Sequence, residues 1–388
     1  MKFKYVDENI EQYIIEKRRY LHQHPELSWE EEKTSDLILN ELKEMGLEAR
    51  KIVKTGVLGI LNPDKEGKVL AIRADIDALP VQEENDLDFK STNDGVMHAC
   101  GHDSHASMLL AAAKIMSQRK DEFGKVVFLF QPAEEFIKDS GAKHVVEEKI
   151  LEGEKVDRII AIHIWNPIEA GKVAFQEGPI MASADTFKIE IFGKGGHGAQ
   201  PQLTIDPIPI GSLLVENLQH LVSRVNSPIN PMVLSVTAFN AGSSENVIPD
   251  KATLLGTCRT FDNDLRAKFP AMMEKVIAGI CQANNADYKF TYYDGTPATI
   301  NEKASVDLGR EVIGEIISSD NIIYQEPQMG GEDFAKYLMN IPGCLMFLGG
   351  KYKDSTAPHH NACFMIDEDV LKIGTEYFVS YGKKYFNS

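Results

Sequence analysis

The chain has 388 residues, of which 43% are hydrophobic and 26% charged, a composition typical of a globular protein with about two domains. Its formal net charge of −17 argues against a nucleic-acid partner, because phosphates would be repelled. No apolar run approaches the ~20 residues that span a bilayer, and the N-terminus turns acidic too early for a secretory signal. The 5 cysteines are scattered, so we expect a reducing, cytoplasmic compartment.

Helical and strand patterns alternate along the N-terminal part of the chain. The spacing of apolar residues predicts helices over 8–24 and 30–46, the second starting from a capping box with Ser28 as N-cap and Glu31 three residues later. Three short β-rich runs follow, at 69–74, 126–130 and 159–164. A helix over 103–119 separates the first two. This order predicts an α/β fold with a mainly parallel sheet, right-handed crossovers and helices on both faces.

The pattern changes near residue 180. The predicted elements there are a strand over 186–192, a helix, strands over 232–240 and 252–260, a helix over 263–283 and a strand over 287–293. This is a ferredoxin-like order. The chain then returns to predicted helices at 302–317 and 332–339, a strand at 345–348 and a helix over 367–385. We therefore expect a catalytic domain formed by 1–180 and 295–388, with an inserted ferredoxin-like α+β domain over 181–294.

Metal-binding side-chain types are concentrated in two short segments. Residues 97–105 have the sequence Met-His-Ala-Cys-Gly-His-Asp-Ser-His, and Glu134 and Glu135 follow about one strand later. Thiolate, imidazole and carboxylate all bind divalent cations, and a spare carboxylate beside a ligand can take a proton from a metal-bound water. The concentration predicts a metal-assisted hydrolase.

These side chains are expected to converge at one edge of the sheet. At the ends of three successive β-rich runs, or at the start of a helix, stand Asp75, Asp77, Cys100, His102, Glu134, Glu135 and His163. Open parallel sheets build their sites at the carboxyl ends of the strands. Asp77 is expected to orient a ligating imidazole, and Asp75 is grouped with it as a supporting residue.

The same segments resemble the M20 metallopeptidase family, in its aminoacylase/amidohydrolase branch. That branch includes N-acetyldiaminopimelate deacetylases, hippurate hydrolases and indole-acetyl-amino-acid hydrolases. The segments that carry the resemblance are Arg18–His22, Arg73–Pro80, Met97–His105, Gln131–Glu135, Gly195–Ala199, Asn246–Pro249 and Gly331–Phe334. The resemblance implies hydrolysis of the amide bond of an N-acyl, chiefly N-acetyl, amino acid into a carboxylate and a free amino acid.

The resemblance also implies the roles of individual residues. Two metal ions would be bound by Cys100, His102, Glu135, His163 and His360. Glu134 would be the general base, and His197, carried on a lid and dimerisation domain, would reach into the partner's site of a homodimer. A thiolate ligand favours Zn²⁺ over Mg²⁺ or Ca²⁺. We expect Mn²⁺ or Zn²⁺, with Co²⁺ or Ni²⁺ as alternatives.

Three positions depart from the usual pattern of the family. Ser104 stands where the family often has glycine, and Gln202 where it often has histidine. The C-terminal motif commonly has Leu-His, whereas this chain has His359 followed by His360. Counting back four residues from Phe364 selects His360 as the ligand, with His359 as the alternative.

Two residues of the inserted domain are candidates for binding the carboxylate of the substrate. Asn246 and Arg259 are both predicted to lie at strands, and an arginine can form a bidentate fork with a carboxylate. A structural salt bridge is an equal alternative for Arg259.

Three other functions remain open at this point. A dipeptidase or carboxypeptidase would share every catalytic residue and differ only in its pocket. Cys100 could instead be a nucleophile with His102 as its base, which would need no metal. A binding protein without catalytic activity is the third, and the joint presence of Glu134 and all five candidate ligands argues against it.

Overall fold

The structure, a computed structural model, describes residues 1–353 and 355–388. The chain forms two compact units. The first comprises 1–178, 300–326 and 333–388, and the second comprises 179–299 and 327–332. The second unit thus interrupts the first in sequence. The short segment 327–332 packs with the second unit.

The elements of the described residues have the following bounds. The α-helices are α1 Glu8–Gln23, α2 Glu32–Glu44, α3 His102–Gln118, α4 Gly141–Glu147, α5 Ile150–Gly153, α6 Pro207–His220, α7 Asn263–Ala283, α8 Lys303–Ile316, α9 Ala335–Leu338 and α10 Leu371–Asn387. The strands are β1 Glu48–Ile52, β2 Gly56–Leu61, β3 Val69–Asp75, β4 Lys125–Gln131, β5 Arg158–Glu169, β6 Val173–Ala174, β7 Gly178–Met181, β8 Ala184–Phe192, β9 Gly196–His197, β10 Met232–Ala241, β11 Val247–Ile248, β12 Lys251–Thr260, β13 Asp287–Thr296, β14 Thr299–Asn301, β15 Ile322–Ile323 and β16 Gly343–Lys351. Within these residues, no helix combines the length and apolar character needed to cross a membrane.

The first unit is built on an eight-stranded sheet with the order β1-β2-β4-β3-β5-β16-β6-β15. Its centre is parallel, because β3 pairs in parallel with β4 and β5, and β5 pairs in parallel with β16. Every residue of β2 and β3 is buried. Strands buried on both faces are typical of parallel sheets covered by helices. The predicted α/β class with a mainly parallel sheet is confirmed.

The start of α2 differs from the predicted capping box. Glu31 occupies the N-cap position, but its side chain makes no capping hydrogen bond. Glu26 instead accepts a hydrogen bond from the backbone N–H of Thr34 at 2.9 Å. Ser28 donates its hydroxyl to Asp77 at 2.7 Å. The capping prediction was wrong because distant buried partners bind the side chains that a local cap would have used.

Eight strands of the described residues have no predicted counterpart, namely β1, β2, β6, β7, β9, β11, β14 and β15, and neither do the short helices α4 and α5. One strand end also differs, because β5 continues to Glu169 instead of ending near residue 164. His163 therefore lies inside its strand. It is two residues past Ala161, which pairs with Arg73, so it is level with Asp75 at the end of β3. The histidine still reaches the carboxyl edge of the neighbouring strand.

The second unit has the predicted ferredoxin-like arrangement. Its longer elements occur along the chain in the order β8, α6, β10, β12, α7 and β13. The four strands form an antiparallel sheet with the order β13-β8-β12-β10. α6 and α7 contribute Leu214, Leu218, Phe269, Met273 and Ile277 to a separate apolar core. The unit therefore has the buried core that an independently folding domain needs.

Candidate metal centre and active site

The N-terminus of α3 carries two predicted ligands to the carboxyl edge of the sheet. Gly101 precedes the helix with φ +86°, a left-handed conformation that glycine adopts without the steric cost of a Cβ. This turn separates Cys100 from His102, and both side chains are buried. α3 is buried along nearly its whole length and contacts β3 and β5. Its start is therefore held firmly beside the strand ends.

His102 has one nitrogen bound by the protein and the other free. Nδ1 donates to the backbone carbonyl of Asp77 at 2.9 Å, with Oδ1 of the same residue at 3.2 Å. Nε2 is buried and has no hydrogen-bond partner among the described residues. It faces Asp75 Oδ2 at 3.7 Å, and Glu134 Oε2 and Glu135 Oε1 both at 4.0 Å. This ring nitrogen therefore points into a cluster of carboxylates.

Cys100 and His163 lie at the separation expected for two ligands of one ion. His163 donates its Nδ1 proton to the carbonyl oxygen of Ile164 at 2.6 Å, so Nε2 carries the lone pair. That Nε2 is 3.7 Å from Cys100 Sγ. Sulfur and nitrogen ligands of a tetrahedral zinc ion, at about 2.3 and 2.1 Å from the metal, lie about 3.6 Å apart. The pair fits zinc coordination as it stands.

His360 lies beside Glu135, with 3.2 Å between Nε2 and Oε1. Its backbone has φ +64°, in a region where histidine is more common than most residues with a Cβ. Its backbone N–H donates to the carbonyl of Ala99 at 2.9 Å, which ties this loop to the segment before Cys100. The histidine selected by its spacing from Phe364 is thus the one beside a predicted carboxylate ligand.

The structure brings all five predicted ligands together in two overlapping groups. The ligand atoms of Cys100, His102 and His163 lie within 4.8 Å of one another, as do those of Cys100, Glu135 and His360. A thiol, imidazoles and a carboxylate form a donor set that suits zinc and related divalent ions. A cation would also satisfy the buried Nε2 of His102, and unpaired buried polar atoms of this kind are rare. The residues therefore fit a metal centre.

Carboxylates dominate the electrostatics of this cluster. Burial by itself lowers the pKa of His102. The charges of Asp75 and Glu135 and the hydrogen bond to Asp77 outweigh burial and raise the pKa to about 10. Burial and the charge of Glu135 raise the pKa of the Cys100 thiol well above its usual range. Both shifts reflect a demand for positive charge, which a divalent cation meets while releasing protons. An anionic setting is the opposite of what activates a nucleophilic cysteine.

Asp77 supports the cluster through three contacts. In addition to orienting His102, its Oδ2 accepts from the hydroxyl of Ser28 at 2.7 Å and from the backbone N–H of Glu135 at 3.0 Å. Carboxylates that hold a metal-ligating imidazole in this way are common beside metal ions. Asp77 thus fixes the positions of two predicted ligands at once.

Asp75 has a different setting, within a buried network. It accepts from Arg73 at 2.7 Å and pairs with His105 Nδ1 at 2.5 Å. His105 Nε2 in turn accepts the backbone N–H of Ile164 at 2.8 Å. With both ring nitrogens engaged, His105 has no lone pair left for a metal. Burial raises the pKa of Asp75, but the charges of Arg73 and His102 bring it well below its usual value.

Two predicted functional residues of the second unit lie side by side. β9 and β11 pair antiparallel with His197 opposite Val247, and the carbonyl of Asn246 accepts from the N–H of Gly198 at 2.8 Å. His197 is exposed, and its Nδ1 accepts from the backbone N–H of Ala199 at 3.0 Å. Its Nε2 therefore carries the proton in the neutral ring. The ring presents a hydrogen-bond donor at the surface of this unit.

Arg259 lies half-buried on β12, also in the second unit. Its Nη1 donates a 3.4 Å hydrogen bond to the carbonyl of Met329. Asp185, a buried acid of the same unit, pairs instead with Arg266 at 2.8 Å. The salt bridge considered for Arg259 has no counterpart within the described residues, where no carboxylate lies within ion-pair distance of its guanidinium.

Glu31 is a candidate functional residue that the sequence did not reveal. Its Oε1 accepts from the backbone N–H of Ala133 at 2.8 Å, and its Oε2 accepts from the hydroxyl of Thr55 at 2.7 Å. Ala133 has φ +50°, which is uncommon for a residue with a Cβ, and it directly precedes Glu134. Glu31 thus holds the backbone turn that presents this carboxylate. In the sequence it stands in a run of three glutamates, so nothing marks it as buried.

Comparison with known proteins identifies the family. The profile of peptidase family M20/M25/M40 matches residues 71–384. The chain belongs to this family. The resemblance found in the sequence motifs is confirmed, and membership in a hydrolase family disfavours a binding protein without activity.

Three known proteins are similar to this chain over most of its length. Over 290 residues it is 49% identical to the N-acyl-L-amino acid amidohydrolase of Geobacillus stearothermophilus, which covers 74% of this chain and 78% of the relative. Thermostable carboxypeptidase 2 of Saccharolobus solfataricus is 40% identical over 379 residues, 96% of this chain and 95% of the relative. The crystal structure of a dinuclear metal-binding M20 peptidase from Bacillus subtilis matches with a TM-score of 0.85 at 35% identity, covering 99% of this chain and 100% of that one.

We predict that Glu31→Ala lowers both the stability and the metal affinity of the protein. The change leaves the N–H of Ala133 and the hydroxyl of Thr55 buried without an acceptor, which costs about 1–3 kcal/mol in the free energy of unfolding. Metal affinity should fall because the turn before Glu134 and Glu135 is no longer held. Chemical denaturation of the metal-free protein and metal titration with a competing chelator measure the two effects.

Thr55→Val is the matched control, because it removes the hydroxyl and leaves the bond between Glu31 and Ala133. It should lower stability with little change in metal affinity. Equal losses of metal affinity in the two variants would contradict the role given to Glu31.

Proposed function

We propose that this protein is a metal-dependent amidohydrolase that cleaves N-acyl, chiefly N-acetyl, amino acids into a carboxylate and a free amino acid. The observation that carries the proposal is the position of Glu134. Its Oε2 lies 4.0 Å from His102 Nε2, the same distance as Oε1 of Glu135. Glu135 also lies 3.2 Å from His360, another proposed ligand, so we assign metal binding to Glu135 and proton transfer to Glu134. The 49% identity to an N-acyl-L-amino acid amidohydrolase supports the choice of substrate.

The proposed cofactor is a pair of divalent metal ions, Mn²⁺ or Zn²⁺, with Co²⁺ or Ni²⁺ as alternatives. The residues proposed to hold them are Cys100, His102, Glu135, His163 and His360. When bound, such ions polarise a carbonyl group and lower the pKa of water towards ~7. The dinuclear centre named for the M20 peptidase of Bacillus subtilis supports the number of ions.

Glu134 is the proposed general base and then the general acid. One of its carboxylate oxygens takes a proton from the attacking water as the oxygen–carbon bond forms at the acyl carbonyl. The same carboxyl group then delivers that proton to the amide nitrogen, and the carbon–nitrogen bond breaks. The products are the carboxylate of the acyl group and the free amine of the amino acid. Asp77 keeps His102 and the backbone of Glu135 in place throughout.

The second unit, which contains the inserted domain expected over 181–294, is proposed to act as a lid and dimerisation domain. His197 would donate its Nε2 proton to the oxyanion of the tetrahedral intermediate in the other subunit of a homodimer, and one such donor is worth about 10²–10³ in rate. Asn246 and Arg259 would bind the carboxylate of the substrate. The protonated Nε2 of an exposed His197, beside the strand that follows Asn246, supports these roles.

A carboxypeptidase or dipeptidase activity is the second candidate. The 40% identity to a carboxypeptidase over nearly the whole chain favours it, because the catalytic residues would be the same.

We also propose a cytoplasmic location. The exposed, unpaired thiol of Cys363 and a thiolate ligand at Cys100 both favour a reducing compartment.

We predict that the metal-loaded protein hydrolyses N-acetyl amino acids with a higher kcat/KM than dipeptides or N-blocked peptides. The assay is a substrate panel, with amine release measured after addition of Mn²⁺, Zn²⁺ or Co²⁺. A preference for peptides would select the carboxypeptidase or dipeptidase alternative. Full activity after chelation and dialysis would instead contradict metal dependence and revive a cysteine nucleophile.

We predict opposite behaviour for the two adjacent glutamates. Glu134→Gln should abolish turnover with metal content near that of the wild type, because its role is proton transfer. Glu135→Gln should lose metal and activity together, because it removes a charged ligand. Metal analysis of the purified variants and initial rates separate the two. Loss of metal from the Glu134 variant alone would reverse the roles.

We predict that His197→Ala lowers kcat by about 10²–10³ while metal content stays intact, because an oxyanion donor is lost. If the residue acts on the other subunit, mixing this variant with Glu134→Gln should restore part of the activity. A mixed dimer then has one site with both groups. Heterodimer formation must be shown independently, for example with two affinity tags. Heterodimers without recovered activity would exclude action across the subunits.

A further inference from the structure

His359 lies beside the candidate metal centre but is not one of its five proposed ligands. Its ring is packed between Trp165 and Phe364, with ring centroids 4.9 and 5.0 Å away. It also lies 5.6 Å from the ring of His163. The side chain therefore occupies an aromatic slot that fixes the plane of the imidazole.

Asn166 determines which nitrogen of His359 carries the proton. The backbone N–H of Asn166 donates to His359 Nε2 at 3.2 Å, so that nitrogen must present its lone pair. The side-chain amide of Asn166 also donates to the carbonyl of Met365 at 2.6 Å, which holds the same loop against β5. The ring is consequently neutral, with its single proton on Nδ1.

That protonated nitrogen faces the proposed thiolate ligand. His359 Nδ1 lies 3.9 Å from Cys100 Sγ. The other imidazole near the sulfur, His163, directs a lone pair towards it, because its own proton is donated to the carbonyl of Ile164. Of these two rings, His359 is thus the one that can donate a hydrogen bond to sulfur. The bond from the N–H of His360 to the carbonyl of Ala99 keeps the two segments together.

We propose that His359 is a positioning residue that donates its Nδ1 proton to the Cys100 thiolate and tunes it as a metal ligand. The inference rests on the metal centre of the proposed function. A hydrogen bond to a charged acceptor is about twice as strong as a neutral one. It stabilises the thiolate among the carboxylates around it, aims the sulfur, and draws electron density away from the metal–sulfur bond. Loss of such an outer partner typically weakens metal binding by about 10–100-fold.

The test uses the whole protein loaded with Co²⁺, which gives a sulfur-to-cobalt charge-transfer absorption when a thiolate ligates it. His359→Leu keeps an apolar side chain in the aromatic slot and removes the donor. We expect its charge-transfer band to move to lower energy and its Co²⁺ affinity, measured by competition with a chelator, to fall about 10–100-fold. His359→Asn should stay close to the wild type, because its amide nitrogen can occupy the place of Nδ1.

His359→Gln is the matched control, because its amide reaches the place of Nε2 and leaves the sulfur without a donor. It should behave like His359→Leu. If the Leu variant does not fold, comparing His359→Asn with His359→Gln still tests whether a donor to the sulfur is needed. A wild-type band and affinity in both donor-free variants would overturn the role of His359 and leave the metal centre standing. A wild-type protein without any charge-transfer band, equal to Cys100→Ser, would overturn the thiolate centre and this inference with it.

Discussion

Negative charge buried at the carboxyl edge of the central sheet is the constraint on which the site depends. Asp75 and Asp77 are almost fully buried, and Glu134 lies beside them at the candidate centre. Arg73 offsets part of this charge from within the sheet, through its 2.7 Å contact with Asp75. The remainder faces the free Nε2 of His102. A buried group of carboxylates is stable only when cations accompany it, so this buried charge would favour the binding of a metal ion.

Four imidazoles near the candidate centre each have at least one nitrogen hydrogen-bonded to the protein, and these bonds decide what the ring can still do. His102 and His163 both donate from Nδ1, which leaves a lone pair on Nε2 for a metal. His105 uses both nitrogens and serves as a structural link. His359 accepts at Nε2 and so presents an N–H towards sulfur. The backbone and carboxylate partners of these four rings thus suit them to three different roles.

The second unit contains none of the five proposed metal ligands. It has its own apolar core, and its β9–β11 pair brings His197 and Asn246 close together. Residues on a domain of this kind can recognise the parts of a substrate that the metal ligands do not contact. An amidohydrolase and a carboxypeptidase are both similar to most of this chain, and they are named for different substrates.

The sequence alone determined the order of the longer helices and strands and most of the side chains near strand ends, because periodicity and composition are local properties. It also indicated the five candidate ligands, through motifs that resemble a known family. Only the tertiary structure decided which atoms of these side chains are free. Ser28 binds Asp77 and Glu31 holds Ala133, although their local pattern predicted a helix cap. The proton of His359 is set by a residue 193 positions away. Hydrogen bonds between distant segments form only when packing brings the segments together, and no spacing within either segment encodes them.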